Sequence, residues 1–447
     1  MVLLISTYDL GRQPFGLASP AAFLRAAGHD VACVDVTRTK LSEEAVRAAS
    51  LIAFYLPMHT ATRLALPLMD RVRAINPSAH ICAYGLYAPL NDAILREHGV
   101  HTVLGPEFEE GLRELADTSR DETSRPKAGA VDRSLPRISF IVPDRSDLPP
   151  LSKYASLQIG DERRVVGYTE ATRGCKHRCR HCPIVPVYDG RFRAVDAGVV
   201  LADIRAQIGA GAQHITFGDP DFFNGPTHAM RIVEALASEF PAVTYDVTIK
   251  VEHLKQQAAL LPRLRDTGCA FVTCAVESFD DRVLEQLEKG HTHADFVEVV
   301  EHCSAIGLAL SPTFVAFTPW TTRESYVAML REIDRLGLVG SVSPIQYAIR
   351  LLVPQGSRML ELPDVRARIA RFDSASLTHI WTHEDPAVDA LQQEIEQLVG
   401  RRVTAPRHEV FARVWDIAHA AAGLVSARRT PLLSRAAVPF LNEPWYC

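Results

Sequence analysis

The chain has 447 residues, 47% of them hydrophobic and 23% charged, with a formal net charge of −5. That is an ordinary globular balance with room for about two or three domains; it excludes wholesale disorder and gives no global attraction to nucleic acid. No apolar run reaches the roughly 18 residues of a membrane-spanning helix, and nine cysteines, an odd number, argue against a disulfide framework.

The opening "MVLLISTYDLG" lacks a basic region and a small-residue cleavage site, so it reads as the first buried strand of a cytoplasmic protein rather than a signal peptide. From there to about residue 117 apolar strand runs ("VLLIST", "DVACVDV", "LIAFYL", "HICAYG", "TVLG") alternate with amphipathic helical stretches ("SPAAFLRAAG", "EEAVRAAS", "ATRLALPLMDRVRAIN", "NDAILREHG", "FEEGLRELA"). This pattern predicts an α/β domain with a Rossmann-like, doubly wound parallel sheet. Residues 118 to 150 lose the periodicity and read as a linker whose second half, "FIVPDRSDLPPLSKY", lies across a surface. From about 151 to 357 the alternation returns with six candidate strands, "VVGYTEAT", "HITFGDP", "TYDVTIK", "AFVTCAVES", "ALSPTFVAF" and "SPIQYAIRL", which suggests a partial (β/α)6 barrel. Residues 358 to 447 read as a mostly helical region with an aperiodic tail.

Cys33, Cys82, Cys269, Cys274 and Cys303 sit in apolar surroundings and are expected to be small buried side chains. "TRGCKHRCRHCPIV" is different, with Cys175, Cys179 and Cys182 in one basic loop after the first barrel strand. Zinc wants four ligands, usually in two separated pairs. Three thiolates suit an iron–sulfur cube with one iron left open. Arg173, Lys176, Arg178 and Arg180 are expected to offset the charge of such a group, with His177 and His181 beside it and Gly174 permitting a tight turn.

The C-x3-C-x2-C spacing at this place resembles the radical S-adenosylmethionine (SAM) superfamily. The resemblance implies a 4Fe–4S cluster on the three cysteines, SAM on the open iron through its amino and carboxylate groups, and an electron from a flavodoxin or ferredoxin-type donor. "FGDPDFF" occupies the place of the superfamily's Gly-Gly-Glu motif, with Phe217 replacing the first glycine and Gly218, Asp219 and Pro220 at the matching positions, followed by Asp221. Lys250 at the third strand end could meet a carboxylate, and Glu277 and Ser278 resemble ribose-binding residues. Thr313, Thr318 and Trp320 are expected near the adenine, with Gln346, Tyr347 and Arg350 at the mouth after the sixth strand.

"PFGLASPAAFLRAAGHDVACVD" and the domain order resemble cobalamin-binding radical SAM enzymes. The Asp-x-His-x-x-Gly signature is absent, His59 is the candidate cobalt ligand, and the resemblance leaves cobalamin open. "PMHTATRLA", "YGLYA", "FGDPDFFNGP", "IKVEHL" and "NEPWYC" together resemble the bacterial CUAEP/CCAEP-tail radical SAM group, which is similar to the enzyme proposed to start arsinothricin synthesis. That likeness implies transfer of SAM's 3-amino-3-carboxypropyl group to a small soft acceptor such as arsenite, with Cys447 as a tail thiol. Two other readings stand beside it, a cobalamin-dependent methyltransferase or rearrangement enzyme, and a non-catalytic iron–sulfur or zinc protein.

Overall fold

Apolar strands fed by amphipathic helices can bury both faces only in a parallel sheet. In the computed structural model, which describes residues 1–118, 131–132, 135–402, 405–425 and 439–442, the N-terminal part has that form. Strands β1 (Val2–Ser6), β2 (Val31–Asp35), β3 (Leu51–Tyr55), β4 (His80–Tyr84), β5 (Thr102–Leu104) and β6 (Val131–Asp132) lie in the order 2-1-3-4-5-6, all parallel. Val2 is level with both Val31 and Leu51. Alternate residues feed opposite faces. Leu4 packs with Leu17, Leu24 and Leu112 under the helices Phe15–Ala26 and Glu109–Thr118, whereas Leu3 and Ile5 pack with Ile52, Phe54 and Met69 on the other side. The order reverses between β1 and β3, so the crevice outside their carboxyl ends is the ligand-binding position of such a sheet. The expected linker contributes the sixth strand here.

The second sheet begins with a hairpin, β7 (Ser156–Ile159) and β8 (Glu162–Thr169). A short ladder follows, β9 (Thr172–Gly174) with β10 (Phe192–Ala194). Then β11 (His214–Phe217), β12 (Thr244–Ile249), β13 (Cys269–Glu277) and β14 (Leu310–Phe314) run parallel to β8. With β17 (Phe440–Asn442) on the far side of β7, the order is 14-13-12-11-8-7-17, a curled half-barrel.

The expected sixth parallel strand is not formed. Pro344–Tyr347 is a 3-10 turn, and only one bridge, Phe317 to Arg350, continues the ladder. Pro344 has no N–H for a ladder and its fixed φ suits the turn. The amide of Phe314, left without a strand partner, donates to Gln346 Oε1 at 2.8 Å.

Beyond the barrel, the helices Pro386–Gly400 and Arg407–Ala421 add Leu391, Ile395, Phe411 and Val414 to the barrel core. Between these helices and the barrel the chain is not helical throughout, as expected, but forms a hairpin, β15 (Ile369–Asp373) and β16 (Thr378–Trp381). Its tip reaches the N-terminal sheet: Leu377 joins that core, and His59 Nε2 donates to the carbonyl of Ser376 at 2.5 Å.

Two ionic clasps join the halves. Arg145, on the strap across the surface, bonds Gln13 Oε1, the carbonyl of Tyr168 and Asp203. Arg173 is buried, with Glu109 on its two terminal nitrogens at 2.6 and 3.0 Å and Glu170 on Nε at 2.8 Å. Among the described residues no helix is long and apolar enough to cross a membrane.

Candidate active site at the half-barrel mouth

The carboxyl end of β8 leads through β9 into the three-cysteine loop. Gly174, at φ +74°, makes the turn, and a Cβ there would stand 2.5 Å from the Tyr188 ring and 2.6 Å from the carbonyl of Arg191, so only glycine fits. Asn224, from the turn after β11, clasps the loop from below. Its Oδ1 accepts the N–H of Lys176 and its Nδ2 donates to the carbonyl of Gly174, both at 3.1 Å. On the other side the N–H of Arg180 donates to the carbonyl of Leu287 at 2.9 Å, and its guanidinium meets Glu288. Alternation along the loop turns Lys176 and Arg178 to solvent, with Cys175, His177 and Cys179 turned inward.

Burial pushes the Cys175 thiol up to about 12, with Asp221 and the other two thiols adding to it. It pushes Cys182 up to about 11, with Cys179 adding and Lys289 working against it. The three sulfurs therefore share one electrostatic environment, and a bound cation would ionise them together.

The cation beside the thiols is Lys289, not the expected Arg173. Arg173 is consumed by Glu109 and Glu170 at the domain junction, and Arg178 pairs with Asp189. Lys289 is buried; desolvation works against its charge, but Glu277, Cys179 and Cys182 raise its pKa. Its ammonium donates to Glu277 Oε1 at 3.2 Å. Glu277 sits at the end of β13 with φ +72°, a left-handed conformation costly for a side-chain-bearing residue. Burial opposes its ionisation, yet Lys289 and His181 bring its pKa down to about 2.

The "FGDPDFF" turn divides into two tasks. Gly218 is required by a close approach, since a Cβ there would lie 1.8 Å from the Tyr168 hydroxyl. Asp219 is turned inward, accepting the Ala171 N–H at 2.9 Å and the Thr172 hydroxyl at 2.6 Å, so it ties β11 to the start of the cysteine loop. Burial raises its pKa to about 7 against those two bonds. Pro220 is part-buried between the two aspartates. Asp221 faces the loop: its Oδ2 lies 3.3 Å from His177 Nε2 and 2.7 Å from His253 Nδ1. Burial pushes the Asp221 carboxyl up, but the two histidines hold it below the usual range. Lys250 reaches His177 Nδ1 at 3.3 Å and Glu252 at 2.9 Å.

On the far side the expected residues take structural positions. Tyr347 is fully buried, its ring against Phe411 and its carbonyl accepting the Tyr326 hydroxyl. Arg350 stacks on Trp381 at 3.6 Å and pairs with Asp389. Gln346 holds the Phe314 amide, Trp320 donates to Asp364, Thr318 closes a turn with Thr321, and Ser278 accepts the N–H of Asp280. Thr313 is part-buried in β14. For Gln346, Tyr347 and Arg350 this follows from the missing sixth strand, which leaves no strand end there to carry them to the mouth. Cys447 lies outside the described residues.

Sequence reasoning assigned no role to Asn224, Glu252, His253, Lys289 and His291. Asn224 and His253 stand within the motifs "FGDPDFFNGP" and "IKVEHL", which was the available signal. Lys289 and His291 flank Gly290, whose φ of +71° lets the backbone pass Glu252 and Lys250.

The donor set fits an iron–sulfur cluster. Three thiols converge from one loop, and at the same mouth buried ring nitrogens have no hydrogen-bond partner: His181 Nδ1, both nitrogens of His291 and His253 Nε2. Buried polar atoms are otherwise paired almost everywhere in proteins, so such a concentration marks a place for a bound group. His59, the candidate cobalt ligand, has its Nε2 on the carbonyl of Ser376.

Comparison with known proteins agrees with this geometry. Residues 169–333 match the profile of the Radical SAM superfamily. An uncharacterized methyltransferase of Pyrococcus horikoshii is 24% identical over 62% of this chain and 55% of its own length. A tRNA-2-methylthio-N(6)-dimethylallyladenosine synthase of Pseudomonas aeruginosa is 25% identical over 67% of this chain and 66% of its own. The chain thus spans between about half and two thirds of these relatives. Among solved structures, the cobalamin-dependent SAM radical enzyme OxsB, with aqua-cobalamin and SAM bound, superposes with a TM-score of 0.71 at 14% identity, covering 94% of this chain and 71% of that one. The radical SAM methyltransferase TsrM from Kitasatospora setae, with tryptophan and a SAM analogue bound, gives 0.63 at 18% identity, covering 83% and 77%. Residues 169–333 thus match the radical SAM superfamily, which uses a 4Fe–4S cluster and SAM, within a chain whose fold is similar to that of cobalamin-dependent radical SAM enzymes.

Proposed function

We propose that this protein is a radical SAM enzyme that reductively cleaves SAM and transfers a carbon group from it to a small-molecule acceptor. The observation that carries the reading is the three-thiol loop at the half-barrel mouth with one buried ammonium, Lys289, beside it. Cys175, Cys179 and Cys182 would hold three irons and leave the fourth to the amino and carboxylate groups of SAM. When bound, the cluster supplies the electron, received from a small flavodoxin or ferredoxin-type donor, that breaks a carbon–sulfur bond of SAM. Lys289 offsets the thiolate charge, and Glu277 and His181 fix its position. Asn224 holds the loop in register, and Lys250, steadied by Glu252, offers a cation for the carboxylate of SAM or substrate.

The transfer we favour passes the 3-amino-3-carboxypropyl group to a soft acceptor such as arsenite. The tail thiol Cys447 and the motifs shared with the CUAEP/CCAEP-tail group support it. A second reading, cobalamin-dependent methyl transfer, is favoured by the likeness to OxsB and TsrM and by the reversal of strand order between β1 and β3. Anaerobic reconstitution followed by product analysis separates them. 5′-Methylthioadenosine formed only with arsenite supports the first, and 5′-deoxyadenosine with a bound corrin spectrum supports the second. A protein that holds four irons and four sulfides yet never cleaves SAM sinks both.

A further inference from the structure

The OxsB structure that this fold resembles holds aqua-cobalamin. A sheet of order 2-1-3-4-5-6 offers a ligand the crevice where its order reverses, between the segments that follow β1 and β3. In this chain that crevice is closed. The Thr7 hydroxyl, just after β1, donates at 2.7 Å to the carbonyl of Ala61, in the first turn of the helix His59–Ile75 after β3, and both residues are buried. Tyr55, the last residue of β3, lays its ring on the first turn of the helix Phe15–Ala26, where a Cβ on Gly16 would stand 2.2 Å from it. The Tyr84 and Phe108 rings pack against Tyr55 with centroids at 5.5 and 5.9 Å, and the Tyr84 hydroxyl donates to the carbonyl of Gly16 at 2.8 Å. Ser6 Oγ has no hydrogen-bond partner, but it is fully buried and so fronts protein rather than an open slot.

The neighbouring strand ends are covered as well. After β1, the carbonyl of Gly11 accepts the N–H of Ala155 at 2.8 Å, Gln13 Nε2 donates to the carbonyl of Pro149 at 3.0 Å, and the Phe15 ring meets Tyr168 edge-on. After β3 and β4 the chain bonds to itself: the Leu56 N–H donates to the Tyr84 carbonyl and the Tyr87 N–H to the Leu56 carbonyl. The tip of the β15–β16 hairpin adds Leu377 to the buried cluster that holds Leu56 and Tyr87. After β5, Glu107 accepts the Tyr188 hydroxyl at 2.9 Å and Glu109 grips Arg173 at 2.6 Å. Four adjacent strand ends are thus engaged by other parts of the same chain.

A corrin ring with its nucleotide tail is larger than any side chain and needs an open slot. Admitting one here means breaking the Thr7–Ala61 bond, displacing the Tyr55 ring or lifting the hairpin tip, and each rearrangement is subtracted from the affinity. We propose that this crevice takes no cobalamin and that the N-terminal sheet serves as a brace. Its strand ends hold the cysteine loop from both sides, Arg173 before it on Glu109 and Tyr188 after it on Glu107. A chain without corrin passes its carbon group straight from SAM, which favours aminocarboxypropyl transfer over cobalamin-dependent methyl transfer; this last step rests on the SAM reading above, and the closure of the crevice does not.

The test reads binding rather than turnover. The whole chain, reconstituted anaerobically, is incubated with excess hydroxocobalamin, desalted, and analysed for corrin by absorbance alongside iron and sulfide. No retained corrin is expected, and the melting temperature should be the same with and without hydroxocobalamin. One corrin per chain after desalting, or a melting temperature that rises with added hydroxocobalamin, overturns the proposal. Gly16→Ala probes the packing directly. In a filled crevice the Tyr55 ring has nowhere to move, so the urea midpoint should fall. A midpoint at the wild-type value would show that the ring swings into open space, and the closure would be refuted. SAM cleavage on the same sample is scored apart: its absence counts against the enzymatic reading alone and leaves the corrin result standing.

Discussion

The two sides of the half-barrel mouth carry similar kinds of residue and use them differently. At the ends of β8, β11, β12 and β13 the polar groups are buried, charged and directed at one another across the strand ends: Asp221 to His177 and His253, Glu277 to Lys289 and His181. On the far side, beyond β14, Gln346, Arg350 and Trp320 bond to the backbone or to helices of the C-terminal region. The difference comes from the backbone. Where parallel strands continue, their carboxyl ends bring side chains from distant parts of the chain to one rim. Where Pro344 stops the ladder, polar side chains replace missing main-chain bonds instead. A polar residue at the end of an expected strand signals chemistry only if the strand forms.

The largest expected effect tests the first side. Cys175→Ser, Cys179→Ser or Cys182→Ser should each remove the brown colour of the reconstituted protein and all SAM cleavage, read by absorbance and by chromatography of adenosine products. A retained cluster with turnover in any of the three would move the site elsewhere.

Lys289→Ala comes next and should destabilise the protein by about 3–5 kcal/mol, because it leaves the Glu277 carboxylate buried without its main partner. Iron occupancy should fall with it, since the same ammonium lies beside Cys179 and Cys182. Lys289→Met with Glu277→Gln should recover much of the stability and little of the iron, which separates the two roles. Arg350→Ala is the matching change on the far side. It removes the Trp381 stack and the Asp389 pair, costs about 1–3 kcal/mol, and should leave SAM cleavage per folded molecule unchanged.

A smaller effect lies in acid. Burial, then Lys289 and Lys250, lower the His291 pKa to about 4, against about 6.5 in an unfolded chain. The unfolded form therefore takes up the proton first. His291's contribution to stability is full above about pH 6.5 and is lost as the pH falls from there towards about 4. In the metal-free protein, His291→Gln should flatten the decline of the urea midpoint between about pH 6.5 and 4.5. An unaltered slope would show that acid sensitivity is not concentrated on the cluster side. Tyr347 on the far side cannot supply it, because burial pushes its phenol up.

This contrast also explains what could be read from the chain beforehand. Strand runs such as "LIAFY" and "TYDVTI" are long, apolar and flanked by helical periods, so the parallel sheets were legible. The sixth strand was not, because "SPIQYAIRL" has the composition of a strand, yet Pro344–Tyr347 forms a 3-10 turn. The cysteines were legible because three ligands lie within one loop. Lys289 was not, since it stands 12 residues beyond Glu277 and meets it only after the helix Asp281–Gln286 turns the chain back. Arg173 misled for the opposite reason: it is adjacent to the loop in sequence, yet the helix Glu109–Thr118 of the N-terminal part supplies its carboxylate partner, Glu109.

The smallest expected effect is the sharpest check on the far side. Tyr347 Oη is buried with no hydrogen-bond partner among the described residues, and its ring packs against Phe411. A phenol that served the reaction would need its hydroxyl at the mouth; one placed by packing needs only the ring. Tyr347→Phe keeps the ring, removes a buried group that costs about 1–3 kcal/mol to leave unbonded, and opens a space of one oxygen atom. These terms oppose each other, so the urea midpoint should stay level or rise slightly, with cleavage of SAM unaltered. A folded Tyr347→Phe protein that has lost cleavage would mean that the hydroxyl acts on bound substrate, and the two sides of the mouth would then be one site.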